Sequence, residues 1–297
     1  MSQQQVIGID IGGTTISLGC FGLEGNCLES INLATPQPAT PEAIVDAIAN
    51  PIQIFSDKYN CQAIGVGMPG PTDATNRIAR VGINLPDWTD IHLAQWLETR
   101  TNLPVTLSND ANAAAVGEAW LGAGKDIENF ILLTLGTGVG GAIFINGKLF
   151  TGSYGAAGEL GLVTLYPDGY PCNSGNQGSL EQYASIGAIR RMTGKEPLEL
   201  GQLAAQGDRE SLAFWQEYGT TLGAGITSLV YVLTPEAIIL GGGISASAQY
   251  FFPSTLAEIN RRVHPSSRLG LKLLKAELGN RAGMIGAAKL AWNLINH

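Results

Sequence analysis

Apolar residues run in short stretches at the start of this chain, and the pattern breaks at a glycine-rich turn that recurs in the second half. Val6 to Ile9 and Ile16 to Phe21 flank Asp10-Ile11-Gly12-Gly13-Thr14-Thr15, while Phe130 to Leu135 and Ala142 to Ile145 flank Gly136-Thr137-Gly138-Val139-Gly140-Gly141. Each reads as strand, tight turn, strand. Laying Asp10 on Thr134 puts Gly12 on Gly136 and Thr14 on Gly138, a weak internal repeat. A third apolar run, Ile238 to Leu240, leads into Gly241-Gly242-Gly243 and reads as a buried strand ending in a close-approach loop.

The same patterning predicts three antiparallel opening strands, Gln5 to Asp10, Thr15 to Leu23 and Cys27 to Leu33. Thr40-Pro41-Glu42 starts a helix to about Lys58, with proline where no donor is needed. A buried strand, Ala63 to Met68, ends at Pro69-Gly70-Pro71, and a loop-rich stretch runs to Trp88, itself read as a packing residue. A helix from about Ile91 to Thr101 and a strand Val105 to Leu107 follow. That strand becomes a helix at Asn109-Asp110-Ala111-Asn112, since alanines favour helix and Asn or Asp its cap. Strand-like segments then reach Leu165, a polar loop spans Pro167 to Gly178, helices dominate from Leu180 to Leu233, and an apolar helix covers Ala282 to Ile295. No low-complexity linker divides the chain, which places a hinge inside packed structure near residues 113 and 284.

Glycine reaches positive φ without Cβ strain, so consecutive N–H groups in such turns converge on an anion, and two of them can grip a triphosphate tail. Neither turn matches the strand-to-helix phosphate loop or the dinucleotide fingerprint, because apolar alternation continues beyond each. Composition narrows the field. The 297 residues are 45% hydrophobic and 14% charged, with a formal net charge of −8. With a pI near 4.9 and no Lys/Arg run, nucleic acid and anionic membranes are not expected partners. Cys20, Cys27, Cys61 and Cys172 are scattered without a Cys-x-x-Cys and read as reduced cytoplasmic thiols. No signal peptide is expected, since Asp10 interrupts the first hydrophobic stretch, and no membrane span, since glycines break the longest uncharged stretches.

In their order, Asp10-Ile11-Gly12-Gly13-Thr14, Pro69-Gly70, Asn84-Leu85-Pro86-Asp87-Trp88, Asn109-Asp110-Ala111-Asn112-Ala113-Ala114, Leu135-Gly136-Thr137-Gly138-Val139-Gly140-Gly141, Ala157-Gly158-Glu159-Leu160-Gly161 and Leu240-Gly241-Gly242-Gly243 carry a resemblance. Over nearly its whole length the chain resembles the family of bacterial sugar kinases, repressors and related open reading frames known as ROK. The resemblance implies an α/β protein with the two-domain actin-like (ribonuclease-H-like) ATPase fold and an interdomain cleft. Residues 1–113 with 285–297 would form a smaller N-terminal α/β domain, and 114–284 a larger C-terminal one. It implies ATP and Mg²⁺ as cofactors, with Asp10, Gly12, Gly13, Thr14, Thr15, Gly136, Thr137 and Gly138 around the phosphates and Gly241, Gly242 and Gly243 near the adenosine. Asp10 would orient Mg²⁺ through water, because Mg²⁺ keeps several waters and takes few carboxylates.

Asp110 is the candidate catalytic base, since phosphoryl transfer to a sugar hydroxyl needs a proton acceptor and otherwise depends on positioning and charge neutralisation. The competing reading of Asp110 is a helix cap without chemistry. Gly70, Asn84, Asn109, Asp110, Glu159 and Glu181 are the implied sugar contacts, with an exposed first-turn helix residue as the alternative for Glu181.

The chain departs from the family at one place. Many relatives hold a structural zinc through a histidine after Gly-Glu-x-Gly and the cysteines of Cys-x-Cys-Gly-x-x-Gly-Cys. Here Leu162 stands in the histidine's place and the other segment reads Cys172-Asn173-Ser174-Gly175-Asn176-Gln177-Gly178-Ser179. Serine is a poor zinc ligand and leucine none, so no zinc site is expected, and the histidine's contact with the sugar is lost as well. The expected function is an ATP-dependent hexose kinase, glucokinase-like and acting on the sugar 6-hydroxyl, in a homodimer by resemblance. The alternatives are another hexose (fructose, mannose, N-acetylmannosamine or N-acetylglucosamine), polyphosphate as donor, or a non-catalytic sugar-binding or regulatory protein of the family. A DNA-binding regulator is not expected, since only nine residues precede Asp10.

Overall fold

A computed structural model describes residues 4–82 and 85–296. The opening strands are β1 (Gln5–Ile11), β2 (Thr15–Phe21) and β3 (Cys27–Ala34), followed by helix α1 (Pro41–Tyr59). The Thr40 hydroxyl caps α1 by accepting from the Ala43 N–H at 3.3 Å. Then come β4 (Cys61–Met68), the short β5 (Ala79–Val81) and β6 (Thr89–Ile91), α2 (Leu93–Thr101), β7 (Val105–Asn109) and α3 (Asp110–Leu121). The second half opens with β8 (Phe130–Leu135), β9 (Val139–Ile145) and β10 (Lys148–Leu149). Helices α4 (Glu181–Ala184), α5 (Ile186–Thr193), α6 (Pro197–Ala205) and α7 (Arg209–Leu233) follow, then β11 (Ala237–Gly241), α8 (Ala248–Arg262), β12 (Lys272–Lys275) and α9 (Ala282–Ile295).

One expectation fails here. Strands do not continue to Leu165: beyond β10 the chain runs through turns to a single 3₁₀ turn at Leu160–Leu162. Gly152, Gly155 and Gly158 take φ of 69°, 82° and 97°, a left-handed backbone that breaks the pleat.

The residues fall into two compact units. One holds the chain up to Lys125, Leu149–Ala157 and everything from Asn280 on; the other holds Asp126–Lys148 and Gly158–Gly279. The division expected at 113/114 and 284/285 would have cut α3 and α9. Both helices belong whole to the first unit because their backbones touch: a Cβ at Gly286 would lie 1.7 Å from the Ala113 carbonyl oxygen.

Each unit is built on a sheet of the same plan. In the first the strand order is β3-β2-β1-β4-β7, with β1 antiparallel to β2 and parallel to β4, and β4 parallel to β7. In the second it is β10-β9-β8-β11-β12, with β8 antiparallel to β9 and parallel to β11, and β11 parallel to β12. Asp10 and Thr134 each occupy the penultimate position of the equivalent strand, β1 or β8, which is the correspondence the internal repeat predicts.

Alternation along the strands decides what each face carries. In the first unit Ile7, Ile9, Ile64 and Val66 pack with Ile44, Ile48 and Phe55 of α1 and Leu93 and Leu97 of α2. The opposite face carries Gly8 and Gly65, which admit the backbone of α9: a Cβ there would stand 2.1 Å from the Met284 oxygen and 1.8 Å from the Ala287 oxygen. In the second unit Ile131, Leu133, Ile238 and Leu240 pack with Leu222, Ile226 and Val230 of α7, beside Trp215 stacked on Phe251 with ring centroids 5.7 Å apart.

Candidate functional site

In the first unit the candidate residues gather at the carboxyl ends of the parallel strands, the edge where ligands bind in open α/β sheets. Asp10 lies beside Gly67, and Met68 beside Asn109. The glycine turn after Asp10 is closed by a Gly12 N–H to Thr15 oxygen bond of 2.9 Å. From below, the Thr35 hydroxyl donates to the Gly12 oxygen at 2.6 Å and the Thr35 N–H to the Thr14 oxygen at 3.0 Å. Gly13, Thr14 and Thr15 are exposed, so a fixed frame presents the tip of the turn to solvent.

Asn109, not Asp110, caps α3. Its Oδ1 accepts from the N–H groups of Ala111 at 2.9 Å and Asn112 at 3.2 Å, and its Nδ2 donates to the Gly70 oxygen at 3.4 Å. Asp110 is therefore a first-turn residue, its Oδ1 accepting from the Ala111 N–H at 2.8 Å. The residue is exposed, yet the protein around its carboxyl raises the pKa by desolvation, against the hydrogen bonds from Ala111 and Asn109. Asp10 is half-buried, and desolvation reinforced by the Asp110 charge pushes it up to about 7. The first turn of α9 closes on it: a Cβ at Gly283 would sit 2.7 Å from the Asp10 carboxyl carbon. Gly70, Asn109, Asp110 and Asp10 thus stand along one sheet edge. Asn84 lies outside the described residues.

The second unit gathers the others. The β8–β9 turn closes with the Gly136 N–H on the Gly138 oxygen at 2.9 Å, and the Ile186 N–H at the start of α5 donates to the Gly136 oxygen at 2.8 Å. Gly241 lies beside Thr134 across the β11–β8 pairing. Gly242, with φ 80°, passes so close to β8 that a Cβ would meet the Leu135 oxygen at 2.3 Å. Gly136, Thr137, Gly138 and Gly241 to Gly243 therefore form one glycine-rich strand-end surface.

Glu181 opens α4, and its Oε2 accepts from the Val139 N–H at 3.0 Å. Its partner is thus the glycine turn itself. Glu159 precedes the 3₁₀ turn, its carbonyl accepting from the Leu162 N–H at 3.1 Å. The segments carrying the two glutamates are paired, through a Thr164–Ser179 bridge and a Leu180 N–H to Val163 oxygen bond of 2.9 Å.

The polar loop from Tyr166 to Gly178 is held at both ends. Tyr183 of α4 packs against Tyr166 and Tyr170 with centroids 4.7 and 5.7 Å away, and its hydroxyl accepts from the Tyr170 N–H at 3.3 Å. At the other end the Gly178 oxygen accepts from the Leu165 and Tyr166 N–H groups at 2.8 and 3.0 Å, and within the loop the Ser174 hydroxyl donates to Cys172 Sγ at 3.2 Å. Among the described residues no group of three or more His, Cys, Asp or Glu stands together.

Sequence reasoning passed over Asp73. Its carboxylate accepts from the N–H groups of Thr75, Arg77 and Ile78 at 3.1, 2.7 and 2.7 Å and knots the loop after Gly70. Desolvation works against ionisation there, but these bonds with the Thr75 hydroxyl prevail and hold Asp73 at about 2. The signal was an aspartate within a run of turn-forming residues.

The described residues contain no helix long and apolar enough to cross a membrane. The ROK family model matches residues 6–293. The chain is 34% identical over 310 residues to a glucokinase of Thermotoga maritima, covering 98% of each. It is 31% identical over 293 residues to a xylose repressor of Bacillus subtilis, covering 96% of this chain and 76% of the repressor. Among solved structures it superposes on a ROK glucokinase from Streptomyces griseus in complex with glucose and AMPPNP, with a TM-score of 0.84, 36% identity and coverage of 97% and 99%. The two matched sheets are those of the actin-like ATPase fold, and the chain belongs to the ROK family.

Proposed function

We propose that this protein is an ATP-dependent hexose kinase that transfers the γ-phosphoryl group to the 6-hydroxyl of glucose. The observation that carries the reading is Asp110. Asn109 caps the helix, so the Asp110 carboxylate is not needed there, and it stands at the sheet edge with its pKa raised. A base is most effective when its pKa approaches the working pH, and Asp110 would take the hydroxyl proton as the oxygen attacks phosphorus.

Asp10 fits a divalent cation. Its carboxyl is desolvated beside a second carboxylate, and no described cation lowers the pKa of either; hard oxygen donors suit Mg²⁺, with waters completing its shell. When bound, the ion would neutralise charge on the phosphates. With the Gly12 and Gly136 N–H groups closing their turns, the tip of the Gly12–Thr15 turn would offer its remaining backbone N–H groups to the phosphates, and Thr137 and Gly138 theirs from the other turn. Gly241 to Gly243 would let the adenosine approach the backbone: Gly242 has no room for a side chain beside β8, and Gly243, with no neighbour within 4 Å of where a Cβ would stand, leaves open space. Gly70, Asn84, Asn109, Glu159 and Glu181 would hold the sugar, Glu181 with the carboxylate capacity left after its bond to Val139.

The test is a coupled assay of ADP release over glucose, mannose, fructose, N-acetylglucosamine and N-acetylmannosamine, with polyphosphate as a second donor. Turnover strongest on glucose with ATP is expected. No turnover on any hexose by folded protein with Mg²⁺ and either donor defeats the reading.

A further inference from the structure

The loop that lacks a metal's ligands is fastened by an amide. We propose that Asn176 is a positioning residue for sugar binding, a hydrogen-bonded pin that joins the segment following Glu159 to the segment preceding Glu181. The inference rests on the reading of these glutamates as hexose contacts.

Asn176 reaches in three directions. Its Nδ2 donates to the Leu162 carbonyl at 2.8 Å and to the Thr164 hydroxyl at 3.1 Å. Its Oδ1 accepts from the Gln177 N–H at 2.7 Å, and its own carbonyl accepts from the Cys172 N–H at 2.8 Å. The carbonyl it holds, Leu162, ends the 3₁₀ turn that Glu159 begins. The hydroxyl it holds, Thr164, belongs to the residue that bridges to Ser179, two positions before Glu181. One half-buried side chain therefore fixes the spacing of both glutamate-bearing segments.

The chemistry requires an amide. Aspartate would set a carboxylate against the Leu162 carbonyl, replacing a donor with a second acceptor, and alanine would leave that carbonyl without the bond. Tyr183 clamps the loop independently through Tyr166 and Tyr170, so loss of the pin loosens the register of the two segments without releasing the loop.

The experiment compares wild type with Asn176→Ala, Asn176→Asp, Thr164→Val and Thr164→Ser. Asn176→Ala and Asn176→Asp should raise KM for glucose about tenfold, the scale of one hydrogen bond, and by at least roughly five times more than KM for ATP. Thr164→Val should show a smaller rise, and Thr164→Ser, which keeps the hydroxyl, should match wild type. Amide exchange at Leu165 and Leu180, which donate to Gly178 and Val163, should quicken in Asn176→Ala. A lower melting temperature with both KM values unchanged, or equal rises in both, overturns the proposal in favour of a structural role. Should wild type phosphorylate no hexose, the kinase reading fails, and exchange at these amides decides separately: faster exchange supports the pin, unchanged exchange overturns it. If Asn176→Ala does not fold, the Thr164→Val and Thr164→Ser pair carries the same comparison.

Discussion

The Glu181 carboxylate accepts the Val139 N–H at 3.0 Å and fills the space over Gly138, where a Cβ would come within 2.5 Å of its Oε2. A residue proposed to hold the sugar is thereby tied to the turn proposed to hold the phosphates. Gly138→Ala should push the carboxylate aside and disturb both substrates. We expect kcat/KM to fall by about tenfold to a hundredfold, the usual cost of an ångström-scale misplacement, with KM rising for glucose and ATP together. Steady-state kinetics in both substrates checks it; a change confined to ATP would show that Glu181 does not couple the two.

Asp110→Asn should fold normally, because Asn109 supplies the cap and the Ala111 N–H keeps its bond to Asn109 Oδ1. Its kcat should drop by about 10² or more, the scale for removing a positioned base. Asn109→Ala should instead cost about 1 kcal/mol of helix stability, read as a lower melting temperature. A near-normal kcat in Asp110→Asn would leave Asp110 with no catalytic role.

In metal-free protein the Asp10 carboxyl titrates at about 7, against an ordinary value of 3.8. The folded state therefore binds more protons than the unfolded chain between those values, and stability falls as pH rises through that window. The Asp110 carboxylate beside it adds repulsion in the same direction. Asp10→Asn cannot ionise and should lose most of this slope, so its melting temperature in chelator should exceed wild type by more at pH 8 than at pH 5. Parallel pH profiles for the two proteins would count against the shift.

Gly283→Ala places a methyl 2.7 Å from the Asp10 carboxyl carbon, in a helix seated on the sheet at Gly8 and Gly65 and locked backbone to backbone against α3 at Ala113 and Gly117. Asp10 must give way. The expected result is a KM for Mg²⁺ raised about tenfold or more, measured by titrating the metal at saturating ATP, with unchanged circular dichroism.

With Leu162, Ser174 and Ser179 where ligands would be needed, purified protein should contain no stoichiometric zinc. Chelation should leave the melting temperature unchanged once Mg²⁺ is restored. Elemental analysis finding one zinc per chain, held at Cys172, would refute this.

Much of the architecture was legible from short-range pattern. Alternating apolar residues around Gly12 and Gly136 marked both hairpins, the offset of Asp10 onto Thr134 anticipated equivalent sheet positions, and Ala282 to Ile295 forms the helix its composition predicts. These are local effects, in which side-chain period and backbone propensity act over a few residues. The tertiary structure alone decided the rest. Whether Asn109 or Asp110 caps α3 depended on which oxygen reaches the Ala111 and Asn112 N–H groups, and both residue types are good caps. The unit boundary moved past residue 113 because α3 lies backbone to backbone with α9, a contact between residues far apart in the chain. Glu181 acquired Val139 as a partner, and Asn176 acquired Leu162, only once folding brought distant segments within 3 Å. The sequence names the donors and acceptors, but their pairing is a property of packing.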